Sequence, residues 1–259
     1  MTMNFRDKVF IVTGSATGVG AACARLLAAQ GARVVVNYSR SAAEAEATAE
    51  ACRAAGGEAI VVQADVAQDA DCRRMAQAAI DTWGRIDGLV NNAGTTRFVG
   101  LRDLEGLSAE DFQRIYAVNV IGAFQMARAC ADALRQTRGA IVNVSSRSTH
   151  DGTGSSLAYA CSKGALNTLT LALAKALGPE VRVNAVLPGL IDSRWLREGF
   201  GEALFDQVAT AYKAQSALED ILTPEDVAES IVALLALPKT TGERLTVDAG
   251  RLLGVAPRL

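Results

Sequence analysis

The stretch "KVFIVTGSATGVGAACARLLAAQGARVVVNY", Lys8–Tyr38, decides the fold. Two continuous apolar, β-branched runs, "KVFIVTG" and "ARVVVNY", flank an alanine-rich segment that opens on closely spaced glycines. Such runs suit strands buried on both faces, which are parallel strands joined by a crossover helix. Gly14 permits a tight turn, Gly18 lets backbone approach a pyrophosphate, and Gly20 allows close packing of the helix. The helix N-terminus supplies N–H donors and the positive end of a dipole. Ser15, Thr17 and Val19 complete this turn as a cofactor-binding loop, with the spacing Gly-x-x-x-Gly-x-Gly.

Working outward, "EAIVVQAD", "IDGLVNNAG", "GAIVNVSS", "VRVNAVLPG" and "RLTVDAG" bring the strands to seven. Helical segments are expected at Gly18–Gln30, Ser41–Ala55, Ala67–Trp83, Ser108–Gln136, Ser155–Leu177 and Pro224–Leu237. Strict alternation implies right-handed crossovers and an α/β class: a seven-stranded, doubly wound parallel sheet of Rossmann type. No linker or repeat divides the chain, so residues 1–259 are expected to form one domain.

Composition narrows the partners. The 26 basic and 28 acidic side chains leave a net charge of -2, without a basic cluster to follow a phosphate backbone, so nucleic acid is not expected. The first residues lack a basic leader with an apolar core, and no apolar run is long enough to cross a bilayer. A cytoplasmic protein without a membrane partner is expected. Its five cysteines lie far apart without Cys-x-x-Cys spacing, which points to reduced thiols and no metal site.

In doubly wound sheets ligands bind beyond the carboxyl ends of the strands. The second strand ends in Asn37, Tyr38, Ser39 and Arg40, with no acid to hold a ribose 2′-hydroxyl or repel a 2′-phosphate. A forked contact from Arg40, assisted by Ser39, favours NADP(H), with NAD(H) left open. Asp65, followed by Val66, is placed to accept from an adenine amino group. Asn92, Ala93 and Gly94, in "NNAG", would let backbone line the cofactor; Asn91 reads equally as a strand-end cap.

"TGSATGVG", "NNAG", "NVIG", "VNVSS", "YACSK" and "PGLIDS", in this order and spacing, resemble the short-chain dehydrogenase/reductase family over essentially the whole chain. The resemblance implies a nicotinamide-dependent oxidoreductase acting on an alcohol–carbonyl pair, with Asn119, Ser146, Tyr159 and Lys163 as catalytic set. It also implies that Asn119 distorts its helix and holds a relay water near Lys163, and that Pro188, Gly189, Ile191 and Ser193 flank the nicotinamide. Its nearest members are 3-oxoacyl-carrier-protein reductases and small-sugar or ketone dehydrogenases. Basic residues that carrier-protein reductases place before the sixth strand are replaced here by "GPEVR", which weighs against that substrate.

Elementary chemistry supports the set. Carbonyl reduction needs a proton delivered as hydride arrives, and a phenol with pKa near ~10 is a poor acid–base group at neutrality. Tyr159 and Lys163, four residues apart, share a helix face, so the ammonium is expected to favour the phenolate. Successive strand residues face opposite ways, and the resemblance, in whose members the catalytic serine precedes the tyrosine by about this interval, implies Ser146 rather than Ser145.

Thr96, Arg97, His150, Leu190 and Trp195 are candidate substrate contacts beside Ser146, each with a solvated-loop alternative; His150 reads as a specificity group rather than a catalyst. Residues 190–215 form either a substrate lid or a helix packed on the body. Small-residue helices and the closing "RLTVDAGRLLGVAPRL" suit a homotetramer or homodimer. A catalytically silent NAD(P)-sensing regulator would keep the glycine loop but could lose Tyr159 or Lys163, and both are present.

Overall fold

In the computed structural model, which describes residues 5–255, seven parallel strands run in the order β3-β2-β1-β4-β5-β6-β7. They are β1 (Val9–Val12), β2 (Arg33–Tyr38), β3 (Glu58–Gln63), β4 (Gly88–Asn91), β5 (Ala140–Val144), β6 (Arg182–Pro188) and β7 (Arg244–Val247). The central strands β1, β4 and β5 are buried along their whole length, as continuous Val/Ile/Leu runs require when helices cover both faces. One core lies between the sheet and α1 (Gly18–Ala28), α2 (Ala42–Ala54) and α10 (Pro224–Ala236), through Leu27, Ala45, Ile231 and Val232. The other is built by Met75 of α3 (Asp69–Trp83), Met126 and Leu134 of α5 (Ala123–Thr137), and Leu173 of α7 (Leu157–Leu177).

Strand order reverses beside β1, which pairs with β2 on one side and β4 on the other. The crevice above that reversal is where the carboxyl ends of both strands release their loops. Every expected strand is present, and helix ends shift by a residue or two.

The exception is the expected single helix Ser108–Gln136. It is α4 (Ala109–Tyr116), opened by a Ser108/Asp111 capping box, then a π-helical turn over Ala117–Gly122, then α5. Gly122 presses on Val66, where a Cβ would lie 2.8 Å from Val66 Cγ2, and the wide turn swings Asn119 inward. Such single π turns recur where a helix is bent to serve a site.

Residues 190–215 hold two helices. Gly201, with φ +79°, separates α8 (Arg194–Phe200), which has no buried residue, from α9 (Glu202–Lys213), which buries Phe205, Ala209 and Tyr212 on the body. Arg197 ties the two together: its guanidinium binds Asp192 at 2.6 Å and Glu202 at 2.6 Å, and stacks 4.4 Å over the Phe205 ring. Thus α9 belongs to the body, while α8 lies at its surface, held by Arg197 and by Phe98 packed on Trp195 and Phe200.

Candidate active site

A cavity of about 1010 Å³ opens over the strand reversal. Its floor is the glycine loop. Gly14 and Gly18 have φ of +61° and +58°, left-handed values that favour glycine. A Cβ on Gly14 would lie 2.9 Å from Ala93 Cα, whereas Gly18 faces open space. The N-cap of α1, Thr17, makes no side-chain cap and the first turn carries no acid, so the N–H groups there are free to face an anion.

Gly20 answers a different need: a Cβ would meet Asn92 Nδ2 and Gly14 O, both at 2.5 Å. Those are the groups that knit the loop, since Asn92 Nδ2 donates to Thr13 O and Gly14 O at 2.9 Å each. Gly20→Ala should therefore deform the loop, lowering stability by about 1–3 kcal/mol. Thermal unfolding and NADPH titration should both register the change; an unaltered variant would contradict this packing.

Several expected cofactor residues build the cradle, and Asn37 both builds and borders it. Asn37 accepts from Gly14 N at 2.9 Å and donates to Val62 O and Ala64 O, which ties β1's loop to β3. Ser15 is fully buried, donating to Val12 O and accepting from Asn37 N. Ser15, Gly20 and Tyr38 do not line the cavity, whereas Thr17, Val19, Ser39, Arg40, Asp65, Val66, Asn92, Ala93 and Gly94 do. Asp65 holds its own loop through Ala67 N at 3.0 Å and still borders the cavity. Arg40 is exposed at the rim, and among the described residues no carboxylate pairs with it.

The end of β5 is laced to α7 by two successive residues. Val144 O accepts from Lys163 Nζ at 2.7 Å and Ser145 Oγ donates to Lys163 O at 3.2 Å, while Ser146 lies near enough to the Tyr159 phenol to favour its ionised form. Ser146, not Ser145, thus faces the tyrosine. Burial pushes the Tyr159 phenol up to about 12, opposed by nearby Ser146, and pushes Lys163 down to about 8. The phenol thus shows a net rise in place of the expected net lowering. Lys163 Nζ lies 5.5 Å from the ring centroid with one donor spent on Val144, so desolvation outweighs attraction.

Asn119 is buried and does not line the cavity. Its Oδ1 accepts from Thr95 N at 2.8 Å, and its Nδ2 donates to Thr95 O at 3.0 Å and Ser162 Oγ at 2.9 Å. Both amide donors are consumed, so the side chain clamps the loop after β4 onto α7. Oδ1 and Lys163 Nζ nevertheless converge on Gly94, at 3.6 and 3.7 Å from where its Cβ would stand.

On the substrate side Pro188, Gly189, Leu190, Ile191, Ser193 and Trp195 line the cavity. Ser193 also caps α8, its hydroxyl accepting from Leu196 N. Three expected contacts lie elsewhere. His150, on the one-turn helix α6 (Ser148–Asp151), is exposed and bonds Thr246 Oγ1 on β7 at 3.1 Å. Thr96 bonds Ser155 Oγ at 2.8 Å, and Arg97 pairs with Asp111 of the α4 capping box at 2.7 Å. Ser148, Thr153, Phe200 and Tyr212 line the cavity in their places, and Phe98 packs behind Trp195 and Phe200.

The cysteines carry no chemistry in this site. Cys23, Cys52, Cys72 and Cys130 are buried and free, and burial raises the four thiols to about 11 or 12. Among the described residues no cluster of three or more His, Cys, Asp or Glu side chains forms a metal-binding group.

The glycine cradle, the Ser–Tyr–Lys cluster and the strand order have counterparts among known proteins. Residues 14–251 match the family model described as "Enoyl-(Acyl carrier protein) reductase". Ketoacyl reductase 2 of the granaticin polyketide synthase of Streptomyces violaceoruber, as that protein is named, is 42% identical over 93% of this chain and 95% of its own. A protein named 3-oxoacyl-[acyl-carrier-protein] reductase from Synechocystis sp. is 35% identical over 95% and 97%. A short-chain dehydrogenase/reductase from Serratia marcescens superposes with a TM-score of 0.85 at 32% identity, covering 95% of this chain and 98% of that one. The chain belongs to the short-chain dehydrogenase/reductase family, and it is an oxidoreductase of carbonyl and alcohol groups.

Proposed function

We propose that the protein is an NADP(H)-dependent carbonyl reductase or alcohol dehydrogenase in which Tyr159 is the acid–base residue. The observation that carries this reading is the convergence of Ser146, Tyr159 and buried Lys163 on the cavity that the glycine loop also borders. The orphan N–H groups of α1 and the open face of Gly18 fit a pyrophosphate, so Gly14, Thr17, Gly18 and Val19 would hold it. Asp65 would take the adenine, and Pro188, Gly189 and Ile191 the nicotinamide end. When bound, the nicotinamide supplies or accepts the hydride.

The residues of this chain handle the proton. A phenol pushed up to about 12 is protonated at neutral pH and stands ready to donate to a carbonyl oxygen. Ser146 shares that oxygen and stabilises the charge that develops on it. Lys163 keeps positive charge near the phenol and turns its free N–H groups toward the cavity. Asn119 acts as a positioning residue, fixing Thr95 against α7. Reduction is therefore favoured at neutral pH, and alcohol oxidation, which needs the phenolate, should gain with rising pH.

Unpaired Arg40 supports NADP(H) over NAD(H), since a guanidinium on a 2′-phosphate contributes about 1.5–3 kcal/mol as a charged hydrogen bond. Arg40→Ala should raise KM for NADPH by roughly tenfold or more and leave that for NADH unchanged. NADPH and NADH oxidation compared over ketones, diketones, 3-oxoacyl thioesters and sugars tests the whole reading. A strong preference of the wild type for NADH would sink the role given to Arg40.

Exposed Ile121, Phe124, Leu171, Leu252 and Leu253 support a homotetramer or homodimer; residues 256–259 of the closing stretch lie outside the described residues. No helix of the described residues is long and apolar enough to cross a membrane, and the free buried thiols support a cytoplasmic setting.

A further inference from the structure

Among the described residues, five buried polar side-chain atoms lack a hydrogen-bond partner, and of these only Ser148 Oγ belongs to a residue that lines the cavity. Ser148 is 4% exposed. A buried hydroxyl without a partner costs free energy that a ligand oxygen can recover. Its place is specific: Ser148 N donates to Ser146 Oγ at 3.1 Å, so the residue sits directly beside the serine that would hold the reacting oxygen. Gly154 seals the same corner, where a Cβ would stand 3.4 Å from Ser148 Cβ and 3.5 Å from Tyr159 Cδ1.

The facing wall is aromatic. Trp195 lies 6.3 Å from the Tyr159 ring between centroids, and Phe98 packs edge-on to Trp195 at 5.9 Å and to Phe200 at 5.0 Å. Phe98 also occupies the notch at Gly199, where any Cβ would collide with its ring. Leu190 and Leu196 extend the apolar surface. Of the basic side chains on the lining, Arg147 pairs with Asp151 at 2.6 Å, Arg114 with Asp111 at 3.4 Å and Lys163 bonds Val144 O, which leaves Arg40, beside the glycine loop's end of the cavity, unpaired. Nothing on this side invites an anionic substrate.

Resting on the carbonyl-reductase reading, we infer that the substrate is an uncharged aryl ketone with a second oxygen on the carbon adjacent to the reacting carbonyl. Ser146 and Tyr159 hold the reacting oxygen, Ser148 bonds the neighbouring one, and the ring lies against Trp195 and Phe200. The reaction balances as hydride from NADPH to the carbonyl carbon and the Tyr159 proton to its oxygen. It yields the hydroxyketone or diol and NADP⁺, and solvent restores the phenol proton.

The test is Ser148→Ala assayed with a matched pair, 1-phenyl-1,2-propanedione and 1-phenyl-1-propanone. Because Ser148 Oγ bonds nothing in the protein, the variant should unfold at or slightly above the wild-type temperature and bind NADPH normally. Its kcat/KM for the dione should fall about tenfold, one hydrogen bond's worth, with the monoketone unchanged. Comparing each variant-to-wild-type ratio cancels the greater electrophilicity of the dione. Equal losses on both ketones, or no loss on either, would overturn the assignment. So would a wild type that binds NADPH but reduces neither ketone, whereas failure to bind NADPH would overturn the underlying reading itself.

Discussion

Tyr159→Phe should lower turnover of every substrate by roughly 10²- to 10⁴-fold, the range that general acid–base catalysis supplies. The substitution removes one oxygen and keeps the ring against Trp195 and Lys163. Ser146 Oγ retains its bond from Ser148 N, so no orphan donor is created on the strand. NADPH binding and the unfolding temperature at pH 7 should be close to wild type. A linkage signature follows from the phenol's raised pKa. The folded protein holds the proton between the ordinary value of 10.0 and about 12, so the wild type matches Tyr159→Phe in stability below pH 10 and loses stability relative to it as pH rises through 12. Full turnover by the variant with any substrate would exclude Tyr159 as proton donor.

Lys163→Met should be nearly as damaging to turnover, about 10²- to 10³-fold, because it removes the positive charge that favours the phenolate. Its effect on stability has the opposite pH sign. Burial moves Lys163 from 10.5 down to about 8, so in that window the unfolded chain holds a proton that the folded one has released. Wild-type stability relative to Lys163→Met is therefore greatest above pH 10.5 and is lost as pH falls through 8. Each pH unit contributes at most about 1.4 kcal/mol, and the whole window about 3 kcal/mol. Taking the difference between the two proteins in urea unfolding at several pH values cancels the other titrating groups. A pH-independent difference would mean that the amine titrates normally and that its bond to Val144 O does not hold it in a dry site.

The stretch Lys8–Tyr38 made the fold legible because its information is local. A buried strand, a glycine turn and a small-residue helix each follow from residue type within a few positions. The Tyr159/Lys163 face was legible for the same reason, since the helix period places it, whereas the choice of Ser146 rested on the interval that the family resemblance implies. What escaped the sequence depends on partners far along the chain. Asn119 lies in an unbroken helical pattern, and the π turn becomes sensible only with Thr95, Ser162 and Val66 beside it. Asn37 sits where a cofactor contact belongs, yet its amide is spent on Gly14, Val62 and Ala64. His150, the only histidine of the chain, drew attention by rarity, whereas its direction was fixed by the turn of α6 toward Thr246. Ser148 carried no motif at all; its meaning comes from lacking a partner, which only coordinates reveal.

The most direct test of the central claim is to follow the hydride. NADPH carrying deuterium at nicotinamide carbon 4, prepared separately in each stereochemical form, should be incubated with the protein and a panel of ketones, diketones, 3-oxoacyl thioesters and sugars. Carbonyl reduction predicts deuterium on the carbinol carbon of the product from one form only, seen by NMR, with the label untransferred in Tyr159→Phe. Bound NADPH with no labelled alcohol from any substrate, or label arriving at a former carbon–carbon double bond instead, would contradict it.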